Sequence, residues 1–246
     1  MLDYHLHLWP HGQRDTPLAV EQVAAYCDRA LAAGVVEVAV TEHLFRFVQA
    51  TRVLGPWWEA DEPSPGLRAS MAGYWEHHAT ADLDAYVETV LAAKQAGLPV
   101  VLGLEVDYYR GRMDQVAALL EGYPFDVLLG SVHWTGAWRF DDLGDAASMA
   151  EWPARAVDAC WDAYTGALEE LAATGSCDVL AHPDLIKVAG HRPAGPAEWW
   201  DRIAEAAARH HMAAEVSSAG WRKPAGEQYP ADGLLVRFAA HGVPFT

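Results

Sequence analysis

Five histidines and one glutamate draw attention by where they fall. His5 and His7 stand two apart in Asp3-Tyr4-His5-Leu6-His7, and His43 closes Thr41-Glu42-His43. Glu105 lies in Gly103-Leu104-Glu105-Val106-Asp107-Tyr108, His133 in Gly130-Ser131-Val132-His133-Trp134, and His182 in Val179-Leu180-Ala181-His182-Pro183-Asp184. A single histidine after an apolar run is ordinary polar surface. A spacing of two puts His5 and His7 on one face of a strand. Accidents would scatter along the chain; these residues recur at the ends of successive apolar runs. Imidazole nitrogens joined by a carboxylate suit zinc, iron or manganese. By contrast His77, His78, His191, His210, His211 and His241 fall in helical patterns or loops, and are expected on the solvated surface.

The elements that must position these residues follow from periodicity. Apolar runs predict strands over Leu2 to Leu6, Val35 to Thr41, Pro99 to Val106, Phe125 to Val132, Cys177 to His182 and Met212 to Val216. Amphipathic stretches predict helices between them. Thr16 is expected to cap one that starts at Pro17 and runs to Ala33, stopped by Gly34; another covers Ala81 to Ala96 and stops at Gly97. Others cover Met113 to Leu120, Ala146 to Ala173, Pro196 to His211 and Ala231 to His241. Strand alternating with helix means a mostly parallel α/β sheet, open or closed into a barrel, whose strand ends meet at one functional face. Leu44 to Met71, rich in Pro, Gly, Trp and charge, reads as a long loop over that face, either a functional lid or a mere insertion, with Trp57 and Trp58 as packing or site-lining residues. Gly242 to Thr246 reads as a turn and the start of a seventh strand, apparently truncated.

The chain has 246 residues, 52% hydrophobic and 21% charged, which is the composition of a folded globular protein. Cys27, Cys160 and Cys177 are widely spaced with no CxxC, against a disulfide framework or a thiolate zinc site. No apolar run approaches a membrane span, and the N-terminus lacks a basic, apolar leader, so a cytoplasmic location is expected. The net charge of −17 disfavours nucleic acid and anionic membranes as partners. A small phosphorylated substrate remains compatible, because bound cations reverse the potential locally.

DYHLH with the later Pro10-His11-Gly12, then TEH, GLEVDY, SVHW, AHPDLI and Ser218-Ala219-Gly220-Trp221-Arg222-Lys223, resemble in order the motifs of the polymerase-and-histidinol-phosphatase (PHP) superfamily, histidinol-phosphatase branch. The resemblance implies one PHP domain over residues 1–246 with a distorted, TIM-like (β/α)7 barrel. It also implies up to three divalent ions (Zn, Mn or Fe). His5 and His7 would hold the first, Glu105 would bridge to a second held by His133 and His182, and His11 and His43 would hold the third. Glu105 would carry the catalytic centre with Asp184, which orients a ligand, shuttles a proton or caps the following helix. Arg222 would bind the substrate phosphate. The implied reaction is hydrolysis of L-histidinol phosphate. The alternatives are another small phosphoester, or a metal-binding form of impaired activity. Two departures stand out: His11 follows His7 by only four residues, and the family's closing Asp-x-His would fall just past Thr246. The expectation is weaker binding of the first and third ions.

Overall fold

The computed structural model describes residues 2–9, 18–60 and 62–246. The expected ligand His11 and the expected helix start at Thr16 and Pro17 lie outside the described residues. Six strands are present among the described residues: β1 (Leu2–Leu6), β2 (Glu37–Val40), β3 (Val100–Asp107), β4 (Val127–Ser131), β5 (Val179–Leu180) and β6 (Ala213–Ala214). Between them run α1 (Val20–Ala32), α2 (Val48–Leu54), α3 (Pro65–His78), α4 (Leu83–Gln95), α5 (Met113–Leu120), α6 (Ala146–Glu151), α7 (Val157–Ala173), α8 (Ala197–Arg209) and α9 (Asp232–Ala240). The chain divides into two compact units. The first holds residues 1–55, 73–107 and 114–129, and the second holds 56–72, 108–113 and 130–246.

In the first unit, β1, β2 and β3 run parallel and in order. β3 reads VVLGLEVD and is almost wholly buried, as a strand covered on both faces must be. Between Asp3 and Leu6, β1 carries an extra residue relative to β2, an irregularity that re-aims side chains near its end. The ladder resumes past β2, where His43 bridges to Glu105 and the Glu105 amide donates to the Glu42 carbonyl at 2.9 Å. Asp82 caps α4 by accepting the Ala85 amide at 2.9 Å. Both expected helix stops hold: Gly34 and Gly97 follow α1 and α4 at φ of +81° and +83°, where a side chain is penalised.

In the second unit, β5 and β6 pair in parallel, and Pro244, Phe245 and Thr246 lie along β6. The Ala214 amide donates to the Pro244 carbonyl and the Thr246 amide to the Ala214 carbonyl, so the expected seventh-strand start is formed.

Three expectations need correction. The stretch 44–71 is not a loop: it contains α2, the start of α3, and short 3-10 turns at Leu44–Arg46 and Trp57–Glu59. Its Pro and Gly punctuate short helices instead of preventing them. Trp57 is buried in the second unit, 5.4 Å from both Tyr109 and Trp134 ring to ring. The single helix expected over 146–173 is broken, because Pro153 closes a 3-10 turn at Trp152–Ala154 before α7 begins. His77, His78, His191 and His210 are half-buried, while His211 and His241 are exposed as expected: His78 packs on Phe45 and Tyr74, and His191 stacks on Trp152 at 4.5 Å.

One glycine sets how closely β2 and β3 approach. A Cβ at Gly103 would lie 2.6 Å from Thr41 Cγ2 and 3.1 Å from the Val40 carbonyl. The buried Tyr86 hydroxyl sits 2.8 Å from the carbonyls of both Val40 and Gly103 and clamps the same point. Gly103→Ala is expected to cost about 1–3 kcal/mol by overpacking. Denaturant unfolding checks this; unchanged stability would show that β3 relaxes freely here.

Candidate metal centre

In the first unit, the end of β1, the turn after β2 and the end of β3 converge on one carboxylate oxygen. Glu105 is fully buried, and its Oε2 lies 3.1 Å from His5 Nε2, 3.4 Å from His7 Nε2 and 2.9 Å from His43 Nδ1. Ligands about 2.1 Å from a common cation, at tetrahedral to octahedral angles, are separated by roughly 3.0–3.4 Å. The three imidazoles therefore sit where co-ligands of Glu105 belong, and His7, His43 and Glu105 form a group able to hold an ion. The His7 and His43 rings stack at 4.4 Å, and those of His5 and His7 meet edge-on at 5.1 Å, so the spacing of two does bring His5 and His7 together.

Two further carboxylates serve this cluster. Asp107, fully buried, places Oδ1 3.8 Å from His43 Nδ1. Glu42, also fully buried, accepts the Trp9 amide on Oε1 at 2.9 Å and faces His7 Nδ1 with Oε2 at 3.7 Å. Sequence reasoning assigned neither a role, although the signal for Asp107 was present: it lies two residues after Glu105, on the same face of β3. His7 is held above its ordinary value of 6.5. Burial opposes its charge, but the carboxylates of Glu105 and Glu42 outweigh that and the nearby His5.

The second unit carries its own pair. His133 and His182 lie past the ends of β4 and β5, with ring centres 5.1 Å apart. The Ser131 hydroxyl lies 3.3 Å from His133 Nδ1. His182 adopts a positive φ of 29°, and its amide donates to the Glu215 carboxylate at 2.7 Å. The buried Tyr164 hydroxyl donates to the His182 carbonyl and accepts the Leu185 amide, so the whole turn is held. Asp141 follows on the loop after β4; burial pushes its carboxyl up, against the pull of His133 and His182. Sequence reasoning missed Asp141 and Glu215, whose roles depend on loop paths that spacing does not encode.

Asp184 is fully buried and makes a local ion pair. Its Oδ2 accepts from Lys187 Nζ at 2.7 Å and from the Ala231 amide at 2.9 Å, while Oδ1 has no hydrogen-bond partner among the described residues. Burial holds its carboxyl above the usual range despite Lys187. Asp184 precedes a 3-10 turn at Leu185–Lys187 without a side-chain capping bond, so the capping role is not what it performs. Arg222 is exposed, on the 3-10 segment Ser218–Arg222 that follows β6. The three cysteines are buried thiols, none of them in a disulfide. Among the described residues no helix is long and apolar enough to cross a membrane.

Parallel α/β architecture with histidines and a glutamate at strand ends defines a chain built to gather cations. The PHP domain family matches residues 3–219, and this chain belongs to that family. A protein of Deinococcus radiodurans described as a probable histidinol-phosphatase is 30% identical, over all of this chain and 84% of its own. The crystal structure of histidinol phosphate phosphatase from Lactococcus lactis, complexed with zinc, L-histidinol and phosphate, superposes with a TM-score of 0.67 at 20% identity, covering 99% of this chain and 84% of that one. The likeness establishes the expected family fold.

Two measurements follow. A cation must displace the His7 proton, and the raised pKa makes that competition start above pH 6.5. Zinc affinity is expected to fall roughly tenfold per pH unit for each competing proton as pH drops toward 6; pH-independent binding would remove His7 from the site. In metal-free protein the sign reverses. The raised His7 pKa contributes stability below the unfolded pKa, and that stability is lost as pH rises through the folded one. Separately, Lys187→Met leaves Asp184 buried without its cation and is expected to cost about 3–5 kcal/mol at neutral pH. The loss should shrink in acid as Asp184 protonates; an equal loss at every pH would show that lost packing, not charge, is responsible.

Proposed function

We propose that this chain is a metal-dependent phosphatase that hydrolyses L-histidinol phosphate to L-histidinol and phosphate. The observation that carries the metal dependence is the fully buried Glu105 carboxylate with three imidazole nitrogens within 3.4 Å. The substrate follows from whole-length similarity to the Deinococcus protein described as a probable histidinol-phosphatase, with the Lactococcus enzyme as the fold's template.

We assign His5, His7, His43 and Glu105 as cation ligands of the first unit and His133 and His182 as those of the second; His11 completes the proposed set. Divalent cations held by these residues supply charge that stabilises the phosphoryl oxygens and acidifies water for attack. The chain's own residues do the rest by positioning and by electrostatics, which is most of what phosphoryl transfer asks of a protein. Glu105 anchors the arrangement from near the C-terminal end of the buried β3. Arg222 is assigned to the phosphate, where a guanidinium can make two parallel contacts. Asp184, with a raised pKa and an uncommitted Oδ1, is assigned to proton handling beside His182. The net charge of −17 favours a small substrate over nucleic acid.

Glu105→Gln is expected to lower turnover by orders of magnitude while the fold survives, since an amide cannot supply the carboxylate's charge. Near-wild-type activity in the metal-loaded variant would remove Glu105 from the role. Arg222→Ala is expected to lower kcat/KM by about 2 kcal/mol, roughly 30-fold; an unchanged value returns Arg222 to the surface. A panel of small phosphomonoesters decides the substrate: a sugar phosphate or nucleotide turned over more efficiently than histidinol phosphate replaces the assignment. Zinc bound with no turnover of any ester would mark a metal-binding protein of impaired activity.

A further inference from the structure

We infer that Glu42 is the positioning residue that fixes the ring of His7, and with it which imidazole nitrogen faces the cation. This rests on the metal-dependent reading above. Glu42 sits inside Thr41-Glu42-His43, flanked by a residue of the β2 ladder and a proposed ligand, yet its side chain points at a different histidine. Oε1 accepts the Trp9 amide at 2.9 Å, two residues beyond His7. Oε2 lies 3.7 Å from His7 Nδ1 and 3.4 Å from Arg46 Nε. Arg46 is itself buried, and its guanidinium also reaches the Trp9 carbonyl at 3.4 Å. Glu42 and Arg46 therefore grip both the amide and the carbonyl of Trp9, and so hold the short segment that leaves β1.

The chemistry follows from the two ring nitrogens. His7 turns Nε2 toward Glu105 Oε2 at 3.4 Å and Nδ1 toward Glu42. A neutral imidazole has one N–H and one lone pair, and the hydrogen bond made by one nitrogen selects the other for the metal. Glu42 Oε2 faces Nδ1 from 3.7 Å, beyond hydrogen-bond length, so it acts through its charge: with a cation beside Glu105 taking the Nε2 lone pair, the carboxylate favours the proton on Nδ1. The same contact makes the ring a stronger donor. Arg46 places an opposite charge 3.4 Å from Glu42 Oε2 in this fully buried position. The functional ligand His7 is thus oriented by a triad, Arg46–Glu42–His7, that touches neither substrate nor cation on its carboxylate side.

Glu42→Gln separates positioning from mere support. The amide keeps an oxygen for the Trp9 N–H but presents an NH2 group to His7 Nδ1 and to Arg46. That favours the tautomer with the proton on Nε2. Zinc titration by calorimetry is expected to show one ion bound 10- to 100-fold more weakly, the others unchanged. In the zinc-loaded proteins, nitrogen-15 shifts of His7 should show Nε2 bound and Nδ1 protonated in the wild type, and that pattern weakened in the variant. Wild-type affinity for every ion would overturn the inference. So would a uniform loss at all sites together with a lower Tm and an unaltered His7 tautomer, because that pattern is structural support alone. Should Glu42→Gln fail to fold, zinc-loaded wild-type protein still decides it: Nε2 bound and Nδ1 protonated is the expected state, and Nδ1 bound to zinc overturns it. Wild-type protein that takes up no zinc overturns the metal reading, and the inference with it; wild-type zinc uptake with an unchanged Glu42→Gln overturns the inference alone.

Discussion

A carboxylate with no solvent exposure must find compensation, because an isolated buried charge is costly. Glu105 finds three imidazoles. Imidazoles compensate only partly, since they are neutral when deprotonated and must be desolvated as well. The cluster is therefore an electrostatic debt that a cation would settle, and the architecture of the first unit makes sense as the means of holding it open. β3 is almost entirely apolar apart from Glu105 and Asp107, so its position is set by packing and is insensitive to the charges it carries. Tyr86 and Gly103 draw β2 against β3, and the His43–Glu105 bridge extends the ladder to the proposed ligands. Rigid placement is what metal sites require, since ligand geometry must be held closely for selectivity.

Around the histidines lies a layer of carboxylates, each attached to a different one: Glu42 to His7, Asp107 to His43, and Glu215 to the amide of His182. The attachments differ in kind. Two face ring nitrogens from 3.7 and 3.8 Å, beyond hydrogen-bond length, and bear on those rings through charge. The third acts on backbone and fixes where the ring starts. In the second unit the charge of Asp184 is met by Lys187, buried with it, so that turn is stabilised without needing an ion. Both units thus bury a carboxylate beside a cationic side chain, Glu42 with Arg46 in the first and Asp184 with Lys187 in the second.

Much of this was legible in the sequence because parallel strands have a simple code. Short apolar runs ended by polar residues marked β1 to β6 to within a few residues, and the period of two placed His5 beside His7. Gly34 and Gly97 marked helix ends because their positive φ excludes other residues at little cost. The stretch 44–71 was misread since Pro, Gly and Trp looked like loop chemistry, whereas burial of Trp57 and Trp58 holds short helices there. Asp141 and Glu215 were invisible because their neighbours are far away in sequence and are fixed by turns. Glu42 was visible as a motif letter only; that it faces His7 and not solvent depends on the extra residue in β1 and the path of the chain through Trp9.

His182 is one of two non-glycine residues among those described that hold a positive φ, and Glu215 anchors its amide there. That backbone state limits which side chains evolution can exchange at this position. Asparagine and aspartate tolerate it, while β-branched residues are strongly penalised. A lineage drifting toward a harder, oxygen-preferring cation has an easy route through aspartate, whose carboxylate would enter without rebuilding the turn. A threonine would have to reorganise the Tyr164 and Glu215 contacts first. The range of donor atoms open at this proposed ligand position is thus filtered by main-chain sterics before any preference of an ion is expressed.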